Sequence, residues 1–279
     1  MKNKNYALHI FALGVLFIFG NTIISMPTNV FNVYFLGFMC LISYALIFLA
    51  RLMIYLSPKS KIIMYALNIS VLLLSVWGAV TTFADFITFL KAEQLPQASV
   101  MLLSTVLIAV TLAFVYSSDL AVYKYGLLVA LIAVVFVVIC FAGGISVFNF
   151  SSVKSTLTAP QFSVMSFIKY FLPVAVLPFF INYGKTYAKS LRLGIAVGFT
   201  GLLLCVMQVA LTFGDISRVV YPYLKAVGVL SSGSLFTRLD GFIYFVFFVT
   251  SLIKITICTK VARSYIIQIF FPRRKVGGD

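Results

Sequence analysis

Runs of about twenty apolar residues follow one another along this chain, at about 7–26, 31–56, 62–90, 98–116, 122–142, 163–183, 191–213 and 241–259, with a shorter one at 219–230. Each long run matches the length an α-helix needs to cross a hydrocarbon core about 30 Å thick. In such a core every backbone N–H and C=O must be paired internally, which leaves helices or closed barrels. The runs lack the strict alternation of barrel strands, so they are predicted as helices. Only 10% of the residues are charged, against about 25% in soluble proteins. That is too little charge to cover a globule of 279 residues with a water-facing surface. No joint between runs is long enough for a soluble domain. The prediction is therefore an all-α integral membrane protein with a single polytopic domain over residues 1–279.

Charge placement orients the spans. The first run is too long for a signal peptide and has no small-x-small cleavage site, so it reads as an uncleaved span. Lys2 and Lys4 precede it; Arg51, Lys59 and Lys61 lie between the second and third runs; Lys185, Lys189 and Arg192 lie between the sixth and seventh. The opposite joints carry only Lys91 and Lys154. By the positive-inside rule the N-terminus lies in the cytoplasm. The net charge of +15 does not indicate nucleic acid, because the basic residues sit between spans and not on a solvated face; they suit anionic membrane lipid. At the C-terminal end, Lys260, Arg263, Arg273, Arg274 and Lys275 also prefer the cytoplasm. That holds if the short run at 219–230 does not cross; if it crosses, the basic tail lies outside. The apolar stretch Tyr265 to Phe271 also reads as a truncated last span.

Several residues stand out within the spans. Gly20, Asn21 and Thr22, ahead of Ser25 and Pro27, weaken the first helix and offer hydrogen bonds that compete with its ladder; the alternative is a span that simply ends at Pro27, with Gly20 serving close packing. Pro173 and Pro178 do the same in the sixth, since each removes a donor and clashes with the preceding turn. Paired interruptions in the first and sixth spans, equivalent members of two five-span halves, point to a transporter-type binding site. Lys254 is a cation deep in an apolar run, and Asp85 is the only carboxylate well inside one. Each is a candidate for coupling or for structure: Lys254 faces the bundle interior or snorkels to the near interface, and Asp85 is its partner, a proton carrier or a residue of the outer boundary. Arg238 and Asp240 flank the start of the last span as an interfacial pair and helix cap. Cys40, Cys140, Cys205 and Cys258 lack ligand spacing and read as packing residues. With six acidic residues and the lone His9, no catalytic constellation forms, and neither enzyme activity, metal nor cofactor is expected.

The segment from Tyr221-Pro222-Tyr223 through Phe236, Arg238-Leu239-Asp240 to Lys254-Ile255 resembles the spore germination permease family, the polytopic B subunits of bacterial germinant receptors. The Gly20 to Pro27 stretch is similar to the family's opening span. The resemblance implies the amino acid–polyamine–organocation fold, with ten helices in two inverted five-helix repeats. It makes 219–234 helix 8 and the last span helix 9, ending outside, with helix 10 missing or truncated. The sixth span also lacks the Gly-Glu-type polar stretch frequent in that family. The implied function is a germinant-receptor subunit that binds an amino acid or similar nutrient at Gly20, Asn21, Thr22, Pro173 and Pro178. It would act with other receptor subunits in the bacterial cell membrane or spore inner membrane. A secondary amino acid transporter of the same fold and a non-binding structural subunit of a membrane complex are the alternatives.

Overall fold

A computed structural model describes residues 2–19, 33–56, 60–150, 164–181, 187–213, 221–231 and 239–270. The main helices are α1 (Lys2–Phe19), α2 (Val33–Leu56), α3 (Lys61–Phe89), α4 (Val100–Tyr116), α5 (Asp119–Gly144), α6 (Val164–Phe180), α7 (Ala188–Phe213), α8 (Pro222–Ser231) and α9 (Leu239–Phe270). No strand occurs among the described residues. Helices α2, α3, α5, α7 and α9 are long and apolar enough to cross a membrane, and α1, α4 and α6 contain shorter apolar stretches.

Local chemistry explains the helix ends and the tolerance of polar residues. Ser99 and Ser118 cap α4 and α5, their side chains accepting from the Leu102 and Ala121 amides at 3.0 and 3.2 Å. Within α3 the hydroxyls of Ser70, Ser75, Thr81, Thr82 and Thr88 each donate to the carbonyl four residues back. A hydroxyl satisfied inside its own helix needs no water, so these residues are compatible with an apolar surrounding.

Helix α1 is central: from Ala12 to Phe19 the exposed fraction does not exceed 1% wherever a side chain is apolar. It runs parallel to α7 at very close range. A Cβ added to Gly194 would fall on the Phe11 carbonyl, and one added to Gly201 would fall on the Phe19 ring. One added to Gly198 would come within 2.9 Å of Ile18. Small residues spaced this way let backbones approach where lipid supplies no hydrophobic drive. Helix α5 covers another side of α1, and α3 and α9 form a second long antiparallel pair. On the outside, Leu41, Met101 and Leu128 are more than half exposed. These apolar flanks fit lipid and not water.

The contacts sort the helix ends into two faces. Tyr6, Tyr123 and Tyr187 gather the starts of α1, α5 and α7 at one face. Phe180 on Tyr123 and Phe179 on Tyr265 bring the end of α6 and the last turns of α9 to that same face. Lys260 joins them, its Nζ 2.8 Å from the Asp119 carboxylate and 2.6 Å from the Ser117 carbonyl. At the opposite face Phe89 meets both Tyr221 and Tyr244, and Phe136 meets Phe242. Helix α8 therefore begins and the chain re-enters α9 at one face, and ten residues span only about 15 Å.

Two features differ from the sequence expectation. The last span does not stop at 259: α9 is one helix of 32 residues, about 48 Å long at 1.5 Å per residue. Lys260 and Arg263 are good helix formers and do not interrupt it. The stretch from Tyr265 is thus the end of α9 as far as Phe270, and not the start of a separate span. The end of α9 also lies at the face where α1 begins, not at the opposite one that its assignment as helix 9 required.

Candidate functional site at the broken sixth helix

Helix α6 does not hold α-helical register. One α turn at Val164–Ser166 passes into a π segment, Phe167–Phe171, then a 3-10 segment, Leu172–Val176, and returns to α at Leu177–Phe180. The cause is Pro173, which has no N–H to donate and crowds the preceding turn. The Leu172 amide bonds instead to the Phe167 carbonyl, five residues back. The Ile168 carbonyl, which an N–H at position 173 would meet in that register, accepts from the Trp77 indole of α3 at 3.3 Å. Pro178 opens the final α turn, where a missing N–H is tolerated.

At the break, α3, α6 and α9 close on one point. Gly78 leaves the space: a Cβ there would lie 3.0 Å from Pro173 and 3.1 Å from the Cys258 sulfur. One turn earlier on the same face of α9 is Lys254, 1% exposed, with its Nζ 5.5 Å from the centre of the Phe17 ring of α1. A cation over an aromatic face is favoured, the more so when water is excluded. Ser251, a further turn back, is fully buried and its hydroxyl has no hydrogen-bond partner among the described residues. Phe171 anchors the other side of the break, stacked on Phe199 at 5.4 Å and edge-on to Phe35 at 6.2 Å.

Asp85 forms an ion pair with Lys169 of α6 at 2.5 Å. Lys169, on α6, is thus a partner of Asp85 that the sequence reading did not name.

The structure brings Pro173, Lys254 and Asp85 into one neighbourhood and places Pro178 a turn further toward the α1-start face. Gly20, Asn21, Thr22 and Arg238 lie outside the described residues, as does the side chain of Asp240. Lys169, Gly78, Phe17 and Ser251 were not singled out by sequence. Lys169 carried a usable signal, a second cation inside an apolar run; Gly78, Phe17 and Ser251 look like ordinary helix residues until their neighbours are known. A similar case is Gln208 on α7, wholly buried, whose carboxamide N and O have no hydrogen-bond partner among the described residues. Another is Tyr223 on α8, whose buried hydroxyl faces the Cys140 and Cys205 thiols. Comparison with protein-family models, with curated proteins and with solved structures finds no match for this chain.

Proposed function

We propose that this chain is a germinant-receptor-type permease subunit, which binds a small nutrient such as an amino acid at the junction of α1, α3, α6 and α9. The observation that carries the reading is the α6 break at Pro173, set against Gly78 and Cys258 and one turn from the buried Lys254. Backbone freed from its ladder offers a ligand hydrogen-bonding groups, and an ammonium such as that of Lys254 suits a carboxylate. The tail of the ligand would meet the aromatic wall of Phe17 and Phe171.

Helix pairing supports an inverted repeat. If α9 is counted as the eighth span and α8 as a connecting helix, pairs interchange on adding five. Helix α1 packs on α7 as α6 packs on α2, and α1 packs on α9 as α6 packs on α3. The pairs α2 with α7 and α3 with α9 map onto themselves. In this reading the N-terminus and the end of α9 are both cytoplasmic, in keeping with Arg51, Lys61, Lys189, Arg192, Lys260 and Arg263.

The test is equilibrium binding of each of the twenty amino acids to purified protein in lipid nanodiscs, followed by uptake into vesicles. Saturable binding without uptake is expected, together with its loss in Lys254→Met. Coupled uptake would favour the transporter alternative. Absence of saturable binding across the panel, with nutrient germination intact after deletion of the gene, would sink the proposal.

A further inference from the structure

Away from the broken helix, α2 and α7 enclose an open groove of about 690 Å³. Its lining follows helical spacing on both sides. On α2, Tyr44, Ile47, Phe48 and Arg51 recur at three- and four-residue intervals, and on α7, Lys189, Arg192, Leu193 and Ala196 do the same. Since α2 ends and α7 begins at the face where α1 starts, both helices place cations at the groove's mouth and apolar residues at its depth. The Tyr44 hydroxyl donates to the Arg192 carbonyl at 2.9 Å and ties the two walls together. Lys189 and Arg192 are exposed, Arg51 is half-buried, and no carboxylate is among the described lining residues.

A cation that merely snorkels to the interface covers its own helix. Here three from two helices converge on one groove whose deeper wall is apolar. We propose that this groove is a binding site for one anionic phospholipid. Arg51, Lys189 and Arg192 hold the phosphate, and an acyl chain lies along Ile47, Phe48, Leu193 and Ala196. The apolar depth selects an amphiphile over a free anion, and the mouth selects an acidic headgroup over a zwitterionic one. A basic pocket between helices on the cytoplasmic side is where anionic headgroups bind in membrane proteins. The inference depends only on the membrane setting and is independent of any nutrient at the α6 break.

The experiment is native mass spectrometry of the purified full chain in detergent. It is titrated with phosphatidylglycerol or phosphatidylcholine of identical acyl chains, with inorganic phosphate as competitor. One retained phosphatidylglycerol is expected, with phosphatidylcholine held far more weakly and no displacement by phosphate. Three basic contacts predict that Arg51→Gln/Lys189→Gln/Arg192→Gln weakens phosphatidylglycerol binding by about 100-fold. A charge-matched variant at other sites, Lys61→Gln/Lys124→Gln/Arg263→Gln, should retain it. Ala196→Trp keeps every charge but fills the acyl slot, and should also weaken binding. Equal retention of the two lipids, equal loss in the charge-matched variant, displacement by phosphate or full binding in Ala196→Trp would each overturn the site.

Discussion

At the scale of single residues, contact distance decides what a substitution does. Gly194 sits so close to α1 that any side chain would strike the Phe11 carbonyl, and backbone cannot swing aside as a side chain can. Gly37 and Gly241 lie in helices with nothing within 4 Å of an added Cβ. Overpacking costs about 1–3 kcal/mol, whereas alanine is favoured over glycine in an unobstructed helix by about 0.5–1 kcal/mol. Gly194→Ala should therefore lower the thermal unfolding midpoint in detergent, while Gly37→Ala leaves it unchanged or raises it. Equal effects of the two would mean that α1 and α7 are not in close contact. Lys254 is the opposite type of case. Its burial shows nothing in the linear sequence beyond a cation among apolar neighbours, and only the fold places Phe17 beneath it.

At the scale of elements, α6 is where intrinsic backbone preference most visibly sets the structure. Pro173 leaves the register no choice but to change, and the Ile168 carbonyl that this releases is taken by Trp77, the chain's single tryptophan. Pro173→Ala restores the missing donor, so the ladder can close and the indole loses its acceptor. The intrinsic fluorescence spectrum should then differ from that of the unaltered protein. Pro178→Ala, which changes a position where the helix restarts, should leave the spectrum alone. A spectrum unmoved by Pro173→Ala would separate the indole contact from the proline. The interruption of α6 was readable from two prolines in a short stretch. Its alternation of π and 3-10 segments was not, because that depends on which neighbouring donors and acceptors come within reach.

For the molecule as a whole, the arrangement places both described ends of the chain at one face, with α8 returning to the face it left. The proposed topology follows: reporters fused before Lys2 and after Phe270 should both be accessible from the cytoplasm, and a cysteine at Lys91 should be labelled from outside in a background without native thiols. Opposite locations for the two ends would require α8 to cross, which ten residues cannot do across about 30 Å.

The sequence alone determined the element type, and its apolar runs of spanning length with so little charge yield helices long and apolar enough to cross a membrane. It also located the proline break and the cation among apolar neighbours, whose costs are local and show in composition. The tertiary structure decided what sequence spacing does not encode: the pairing of Asp85 with Lys169, the convergence of Gly78, Pro173 and Cys258, the continuity of α9 and the basic groove between α2 and α7. Apart from the continuity of α9, each depends on residues far apart in the chain meeting across a helix interface, where van der Waals contact and charge proximity are set by packing and not by order along the backbone.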